Sequence, residues 1–168
     1  MLDCGRVRVW KVHRERNWQS PAALRGVEPV VLSHAPLDHS GWLPARVKHG
    51  FRGPIHASPA TCELARVLLL DSAHLQEEDA RRANRYGYSR HVKALPLYTK
   101  ADAHRALGQF VPLPPGRELK IGHSPVKLTP AGHLLGACSV APTHGGQLHA
   151  LSSEGARQGQ TLWRPART

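Results

Sequence analysis

The sequence predicts an α/β fold in which β-sheet layers are flanked by helices. Three observations predict it: a β-branched run near residue 30, one long helical pattern from residue 58 to 87, and several strand patterns after residue 117. The chain has 168 residues, which is enough for one domain with its own core. We expect residues 1–150 to form this domain, and residues 151–168, which show no periodicity, to form an irregular tail.

The first elements are short. The segment PVVLS at 29–33 is a β-branched run of the kind that forms a buried strand, and it places His34 at the strand's carboxyl end. The segment SGWLPARVKHG at 40–50 predicts a short helix that ends at Gly50. The segment GPIHAS at 53–58 predicts a second strand.

The long helix is the best-marked element in the chain. Ser58 can cap it, and Pro59 suits the first helical position because the missing N–H is not needed there. Apolar residues recur on one face in the way a core-facing stripe does; they are Leu64, Val67, Leu68 and Leu75. The pattern ends near Gly87.

The remaining chain predicts one more helix and then strands. Residues 101–107 suit a short helix. The strand patterns that follow are ELKI at 118–121, PVKLTP at 125–130 and ACSVAP at 137–142. Strands therefore lie on both sides of the helices in sequence.

The chain is strongly basic. It has 23 Lys and Arg against 12 Asp and Glu, a formal charge of +11. Such a charge favours a polyanionic partner, RNA or DNA, by long-range attraction, although solvated basic faces give the same composition. The three cysteines are far apart, so they indicate a reducing cytoplasm and neither a disulfide framework nor a CxxC zinc motif. The longest apolar run, VLLL at 67–70, excludes a membrane span within this sequence.

The loop SHAPLDHSG at 33–41 concentrates potential metal ligands. It holds His34, Asp38 and His39 directly after the first predicted strand. Imidazole nitrogen and carboxylate oxygen are both zinc ligands, and a tight loop can bring them together. The alternative is structural: His34 ends a strand, Asp38 caps the next helix and His39 is a surface residue. Spacing alone does not separate the two interpretations.

Several motifs resemble the metallo-β-lactamase superfamily. LDCG at 2–5, LSHAPLDHSG at 32–41 and PAGHLLGACSV at 130–140 are similar to its first three motifs, the second of which is HxHxDH. HSGWLP, GFRGPI and NRYGYSRH resemble the β-CASP branch, the RNA-processing exonucleases and endonucleases. The resemblance runs from about Leu2 to Val140, and it implies a partial metallo-β-lactamase fold that stops before the β-CASP domain.

The resemblance also implies site residues. His34 and His133 would bind a first zinc ion, and Asp38 and His39 a second, with Asp38 also catalytic. Asp3 would support these ligands, and Glu154 in SSE would stand where the family has a bridging aspartate. Pro36 occupies the position of the family's second histidine, and its tertiary amide nitrogen has no lone pair to give a metal.

The function that the resemblance implies is zinc-dependent hydrolysis of RNA phosphodiester bonds. The substitution at Pro36 and an end before the β-CASP domain would impair this activity. The alternative is a non-catalytic remnant, or a basic fragment that binds RNA without turnover.

A second candidate surface is the stretch ARRANRYGYSRH at 80–91. It interleaves arginines with tyrosines, a composition suited to phosphate contacts and base stacking; the residues are Arg81, Arg82, Arg85, Arg90, Tyr86 and Tyr88. The alternative is a solvated helix end with the tyrosines packed underneath.

Overall fold

The computed structural model describes residues 1–7, 15–19, 26, 28–89, 91–122, 124–144 and 147–148. The tail predicted at 151–168, with Glu154, lies outside the described residues, as does Arg90. The domain boundary expected at residue 150 therefore stays a prediction.

Two sheets form the framework. The first is parallel, with the order β1-β2-β3, and consists of Val30–Val31, Ile55–Ala57 and Phe110–Pro112. The second is antiparallel, with the order β4-β5-β6-β7, and consists of Glu118–Ile121, Ser124–Pro130, Cys138–His144 and Gln147–Leu148. Every strand pattern described above lies in one of these sheets.

Four α-helices accompany the sheets within the described residues: α1 (Leu37–Ser40), α2 (Leu43–Lys48), α3 (Pro59–Tyr86) and α4 (Lys100–Leu107). A short 3₁₀ helix at Glu15–Trp18 precedes them. The predicted α/β class, with β-sheet layers flanked by helices, is confirmed.

The ends of α3 follow local rules and match the prediction. Ser58 is the N-cap, and its hydroxyl oxygen accepts the N–H of Thr61 at 3.2 Å. Pro59 occupies the first helical position. Gly87 ends the helix in a left-handed conformation with φ +66°, which costs glycine little because it has no Cβ.

The buried face of α3 differs from the predicted one. Val67 and Leu75 are 65% and 55% exposed, and Leu64 is also exposed. The helix instead buries a stripe of mostly small residues; they are Thr61, Ala65, Leu69, Ser72, Ala73, Ala80 and Ala83. Small side chains allow the helix to approach its neighbours closely, and helical periodicity alone does not distinguish this face from the leucine-rich one.

The core has two parts because the parallel sheet is covered on both faces. Val30 joins the cluster of the helices, with Leu43, Leu69 and Tyr98. Its neighbour Val31 points the other way and joins the cluster between the sheets, with residues such as Leu128 and Val140 of the antiparallel sheet. The order is therefore helices, parallel sheet, antiparallel sheet.

The loops after β1 and before β6 meet at the edge of these layers. The Ser33 carbonyl accepts the N–H of Cys138 at 3.0 Å, and this bond joins the end of β1 to the start of β6. Among the described helices, none combines the length and the apolar character that a membrane crossing requires.

Candidate functional site

His34 lies at the edge of the parallel sheet, just after the carboxyl end of β1. After β1, the N–H of Leu32 donates to the His56 carbonyl of β2 at 2.8 Å, so the chain stays extended for one more residue. The backbone then turns at Ser33 and His34, and helix α1 begins at Leu37. This turn places the side chains of His34 and His39 beside each other, with ring centroids 3.9 Å apart.

Asp3 connects the two halves of this turn. Its φ is +51°, a left-handed conformation that Asp tolerates better than most residues. Its Oδ1 accepts the N–H of Ser33 at 2.7 Å, and its Oδ2 accepts the Ser33 hydroxyl at 2.8 Å. The same Oδ2 lies 2.9 Å from Nδ1 of His39. The Asp3 carboxylate thus holds both Ser33, just after β1, and His39, in α1.

These hydrogen bonds determine which tautomer the neutral ring of each histidine adopts. An ionised carboxylate only accepts hydrogen bonds, so Nδ1 of His39 donates to Asp3. The Ser33 hydroxyl donates to Asp3, so its oxygen accepts from Nδ1 of His34 at 2.9 Å. In each neutral ring, Nε2 then carries the lone pair. Histidines that ligate metals are oriented by outer hydrogen bonds of this kind.

His34 is neutral at pH 7. Burial lowers the pKa of its imidazole below the ordinary 6.5, and the adjacent His39 lowers it further. The nearby Asp3 carboxylate opposes this shift with a smaller effect. The neutral form is the one in which an imidazole can bind a metal ion.

His133 lies on the loop at 131–137 between β5 and β6. The Gly136 carbonyl of this loop accepts hydrogen bonds from the hydroxyls of Ser58, at 2.7 Å, and Thr61, at 2.9 Å. Gly136 has φ +80°, and a Cβ there would lie 2.6 Å from the Thr61 nitrogen. The start of α3 therefore clamps the loop, and the His133 ring lies 5.7 Å from that of His34 in an edge-on arrangement.

Pro36 contributes backbone and no ligand. It is the N-cap of α1, and its carbonyl accepts the N–H groups of His39 and Ser40, both at 2.9 Å. Asp38 follows in the first turn, more than half exposed, with its Oδ2 3.6 Å from Nε2 of His39. The structure thus brings His34, His39 and His133 together with the Asp38 carboxylate at their edge, whereas Glu154 lies outside the described residues.

The described residues fit zinc in donor type. Neutral imidazoles, a neighbouring carboxylate and the orienting bonds from Asp3 and Ser33 are what zinc sites use. The number of ligands is what is short: among the described residues, no group of three or more His, Cys, Asp or Glu side chains is placed so that it could hold a metal ion.

An apolar cavity of about 620 Å³ adjoins His133. It lies between the start of α3 and the loop that carries His133, and its walls include Pro59, Pro130, Leu134, Leu135 and Ala137. A cavity of this volume is large enough for an organic ligand. Its lining offers few groups that could hold a phosphate.

The arginine and tyrosine stretch lies at the opposite end of α3. The helix has 28 residues, so about 40 Å separates its two ends. Tyr86 and Tyr88 are 68% and 64% exposed, so the interpretation in which tyrosines pack under the helix end is wrong. Arg81, Arg82 and Arg85 are exposed as well.

The motif resemblance indicated Asp3 as a supporting residue, but sequence reasoning missed Ser33 and the groups that hold the loop of His133. Ser33 directly precedes His34, and a hydroxyl beside a histidine at a strand end is a weak signal that could have been used. The clamp on Gly136 has no signal in the local sequence, because Ser58 and Gly136 are 78 positions apart. Only the fold brings them together.

Comparison with known proteins gives sequence relatives over most of the chain. The chain is 30% identical to ribonuclease TTHA0252 of Thermus thermophilus over 156 residues, 92% of this chain and 32% of the ribonuclease. It is 28% identical to transcription termination factor FttA of Cenarchaeum symbiosum over 142 residues, 82% of this chain and 20% of that factor. The predicted resemblance to the β-CASP branch of the metallo-β-lactamase superfamily is confirmed. No protein-family model matches the chain.

The β-CASP relatives are much longer than the aligned part. The chain spans about a third of the ribonuclease and about a fifth of FttA. Among solved structures, the archaeal metallo-β-lactamase superfamily protein ST1585 of Sulfolobus tokodaii is similar at a TM-score of 0.48 and 16% identity, over 88% of this chain and 56% of that one. The subclass B3 metallo-β-lactamase MEM-A1 from a soil metagenome library is similar at a TM-score of 0.43 and 19% identity, over 76% and 41%.

Proposed function

We propose that this chain carries part of the active site of an RNA-processing hydrolase that cleaves phosphodiester bonds with the help of zinc. The observation that carries the proposal is that His34 lies beside His39 of the same loop and near His133 of a distant loop, with Asp3 and Ser33 orienting the first two. The relatives named a ribonuclease and a transcription termination factor support RNA as the substrate.

Each residue has a distinct task in this proposal. His34 and His133 would hold one zinc ion, and Asp38 and His39 a second. Zinc would supply Lewis-acid chemistry, namely neutralisation of charge on the phosphate and activation of water near neutral pH. The exposed Asp38 carboxylate lies beside His39 and can orient a water or accept its proton. Asp3 and Ser33 keep the lone pairs of the histidines on Nε2.

A second candidate function is RNA binding without turnover. Pro36 favours it, because the residue between the ligands His34 and Asp38 offers a hydrocarbon ring and a backbone carbonyl that α1 already uses. The formal charge of +11 supports RNA binding in both cases.

The two functions separate in one experiment on the purified chain. Zinc content is measured after desalting, and cleavage of end-labelled single-stranded RNA is followed with and without added zinc. For a hydrolase, we expect zinc-dependent cleavage that is lost in His34→Ala and His133→Ala. The control variant is His104→Ala, which removes an exposed imidazole on α4 and should leave cleavage unchanged.

The stoichiometry tests the ligand assignment. Because Pro36 replaces a ligand and three ligands do not assemble among the described residues, we expect fewer than two tightly held zinc ions per chain. Two tightly held ions per chain would show that side chains other than those of His34, Asp38, His39 and His133 complete the zinc sites. RNA binding with no cleavage at saturating zinc would leave the second candidate function and reject the first.

A further inference from the structure

We propose that the end of α3 is a binding surface for single-stranded RNA, separate from the histidine cluster. The surface consists of Arg82, Arg85, Tyr86 and Tyr88, and we refer to it as the α3-end surface. The choice of RNA as the ligand rests on the proposed function. The surface itself is distinguished by its exposure, its charge and its anchored backbone.

The two tyrosine rings are exposed to a degree that packing does not explain. At 68% and 64% exposure, Tyr86 and Tyr88 leave most of their ring area in contact with solvent. Such rings offer flat apolar faces on which unpaired bases can stack, and every base has a face of this kind. Leu95 on the returning chain is exposed as well.

Positive charge lies directly beside the rings. Arg81 pairs with Glu78 at 2.8 Å, but within the described part of the chain neither Arg82 nor Arg85 has a carboxylate within 4.0 Å. The Arg85 guanidinium lies 5.6 Å from the centre of the Tyr86 ring. The surface thus offers phosphate-binding groups next to a stacking group, which is the combination that single strands require.

The fold holds this surface in place. Gly87 turns the chain at the helix end with φ +66°. Asn84 then grips the returning chain at Ala94, donating to its carbonyl at 2.9 Å and accepting its N–H at 2.8 Å. The tyrosines therefore flank an anchored turn, so RNA binding pays less for ordering the loop.

The position at the far end of α3 sets the role of this surface. About 40 Å separates it from the start of the helix, where Ser58 and Thr61 clamp the loop of His133. It therefore does not contact the nucleotide at the histidine cluster. It holds a distant part of the same strand, and so raises the affinity for long RNA.

The test measures binding by fluorescence anisotropy, with the full chain in the His34→Ala/His133→Ala background so that cleavage plays no part. The probes are oligouridine of about 12 nucleotides, within the ~4–16 nucleotides that single-strand sites cover, an abasic strand of equal length, and an RNA duplex. The variants are Tyr86→Ala/Tyr88→Ala and Arg82→Gln/Arg85→Gln. The control is Arg66→Gln, an exposed arginine on α3 away from the surface.

We expect the tyrosine variant to bind oligouridine about 25-fold more weakly, at about fivefold per stacked base, and to bind the abasic strand as the parent does. The arginine variant should weaken binding of both strands and lower the slope of log K against log salt by about 1.4. The affinity for the duplex, whose bases are already stacked, should be the same in the tyrosine variant as in the parent.

Unchanged oligouridine binding in the tyrosine variant overturns the proposal and leaves the exposed rings to a protein partner. Equal losses of oligouridine affinity in the tyrosine variant and in Arg66→Gln also overturn the proposal, because they show that substitutions anywhere on the exposed face of the protein weaken binding. Neither result depends on zinc or on cleavage, so a failure of the proposed function is recognised separately.

Discussion

We expect Gly5→Ala to push residues 4–6 away from the loop at 33–41 that carries His34 and His39. A Cβ at Gly5 would lie 1.6 Å from the Asp38 carbonyl oxygen and 2.4 Å from its carbon. An ordinary contact begins at 3.4 Å, so the two backbones must separate by about 1.8 Å, the difference between 3.4 and 1.6. Both partners are backbone, so no side chain can rotate to relieve the contact.

The magnitude follows from what this separation breaks. Three backbone hydrogen bonds join the two segments: Cys4 N–H to the His39 carbonyl, Arg6 N–H to the Leu37 carbonyl and Trp42 N–H to the Cys4 carbonyl. Each contributes about 1 kcal/mol net, so we expect the free energy of unfolding to fall by about 3 kcal/mol. For a chain of this size that corresponds to a loss of roughly 6–12 °C in Tm.

The assay is thermal and urea unfolding followed by circular dichroism. The matched control is Gly108→Ala at the end of α4, where φ is −66° and the nearest atom to an added Cβ is 3.4 Å away. We expect the control to change the stability by less than about 1 kcal/mol. If Gly5→Ala unfolds at the same temperature as the control, the close approach of Gly5 to Asp38 is not a feature of the folded chain.

Three further predictions concern the site and its support. Pro36→His should raise zinc affinity without raising the rate of RNA cleavage, since a third imidazole adds one ligand to the first zinc site but changes neither the second site nor the way the strand is held. Zinc titration and the cleavage assay on one preparation check this, and an unchanged affinity would contradict it. Gly136→Ala should destabilise the chain by about 1–3 kcal/mol and lower zinc affinity, because its Cβ would press on the Thr61 nitrogen. Thr61→Val removes one of the two hydroxyls that bind the Gly136 carbonyl, so it should lower stability and zinc affinity by a smaller amount. Burial lowers the pKa of His56, so between about pH 6.5 and the lower folded pKa the unfolded chain binds a proton there that the folded chain does not. The free energy of unfolding should therefore fall as the pH drops through 6.5 towards the folded pKa. Urea midpoints measured against pH check this, and they should fall less steeply in His56→Val.

Features set by neighbouring residues could be predicted well. The cap at Ser58, the proline at the first position of α3 and the glycine stop at Gly87 each depend on a few consecutive residues, and all three are present. The buried face of α3 could not be predicted in the same way. Leu69 is buried and Val67 is exposed although both are apolar, because contacts with distant elements decide the helix orientation.

The same distinction applies to the site. The proximity of His34 and His39 follows from a short loop after a strand, and their spacing allowed it without excluding a surface position for His39. The approach of His133 did not follow from spacing, since 94 positions separate it from His39; only the motif resemblance suggested it. Asp3 holds His39 directly, and the Ser58 hydroxyl holds the Gly136 carbonyl in the loop of His133; both hydrogen bonds cross the fold and are not encoded by local sequence.

In the loop that contains Pro36, the backbone conformation does not depend on how many metal ligands the loop offers. The loop is held by Asp3 through Ser33 and His39, and by the Pro36 carbonyl at the start of α1. None of these bonds uses the side chain at position 36 or requires a metal ion. A residue with no ligand atom can therefore stand there while His34 and His39 keep their orientation, because the protein satisfies Nδ1 of both rings by itself. The hydrogen-bond network fixes where the histidines point, and the residue at 36 decides how many side chains of the loop could serve as metal ligands.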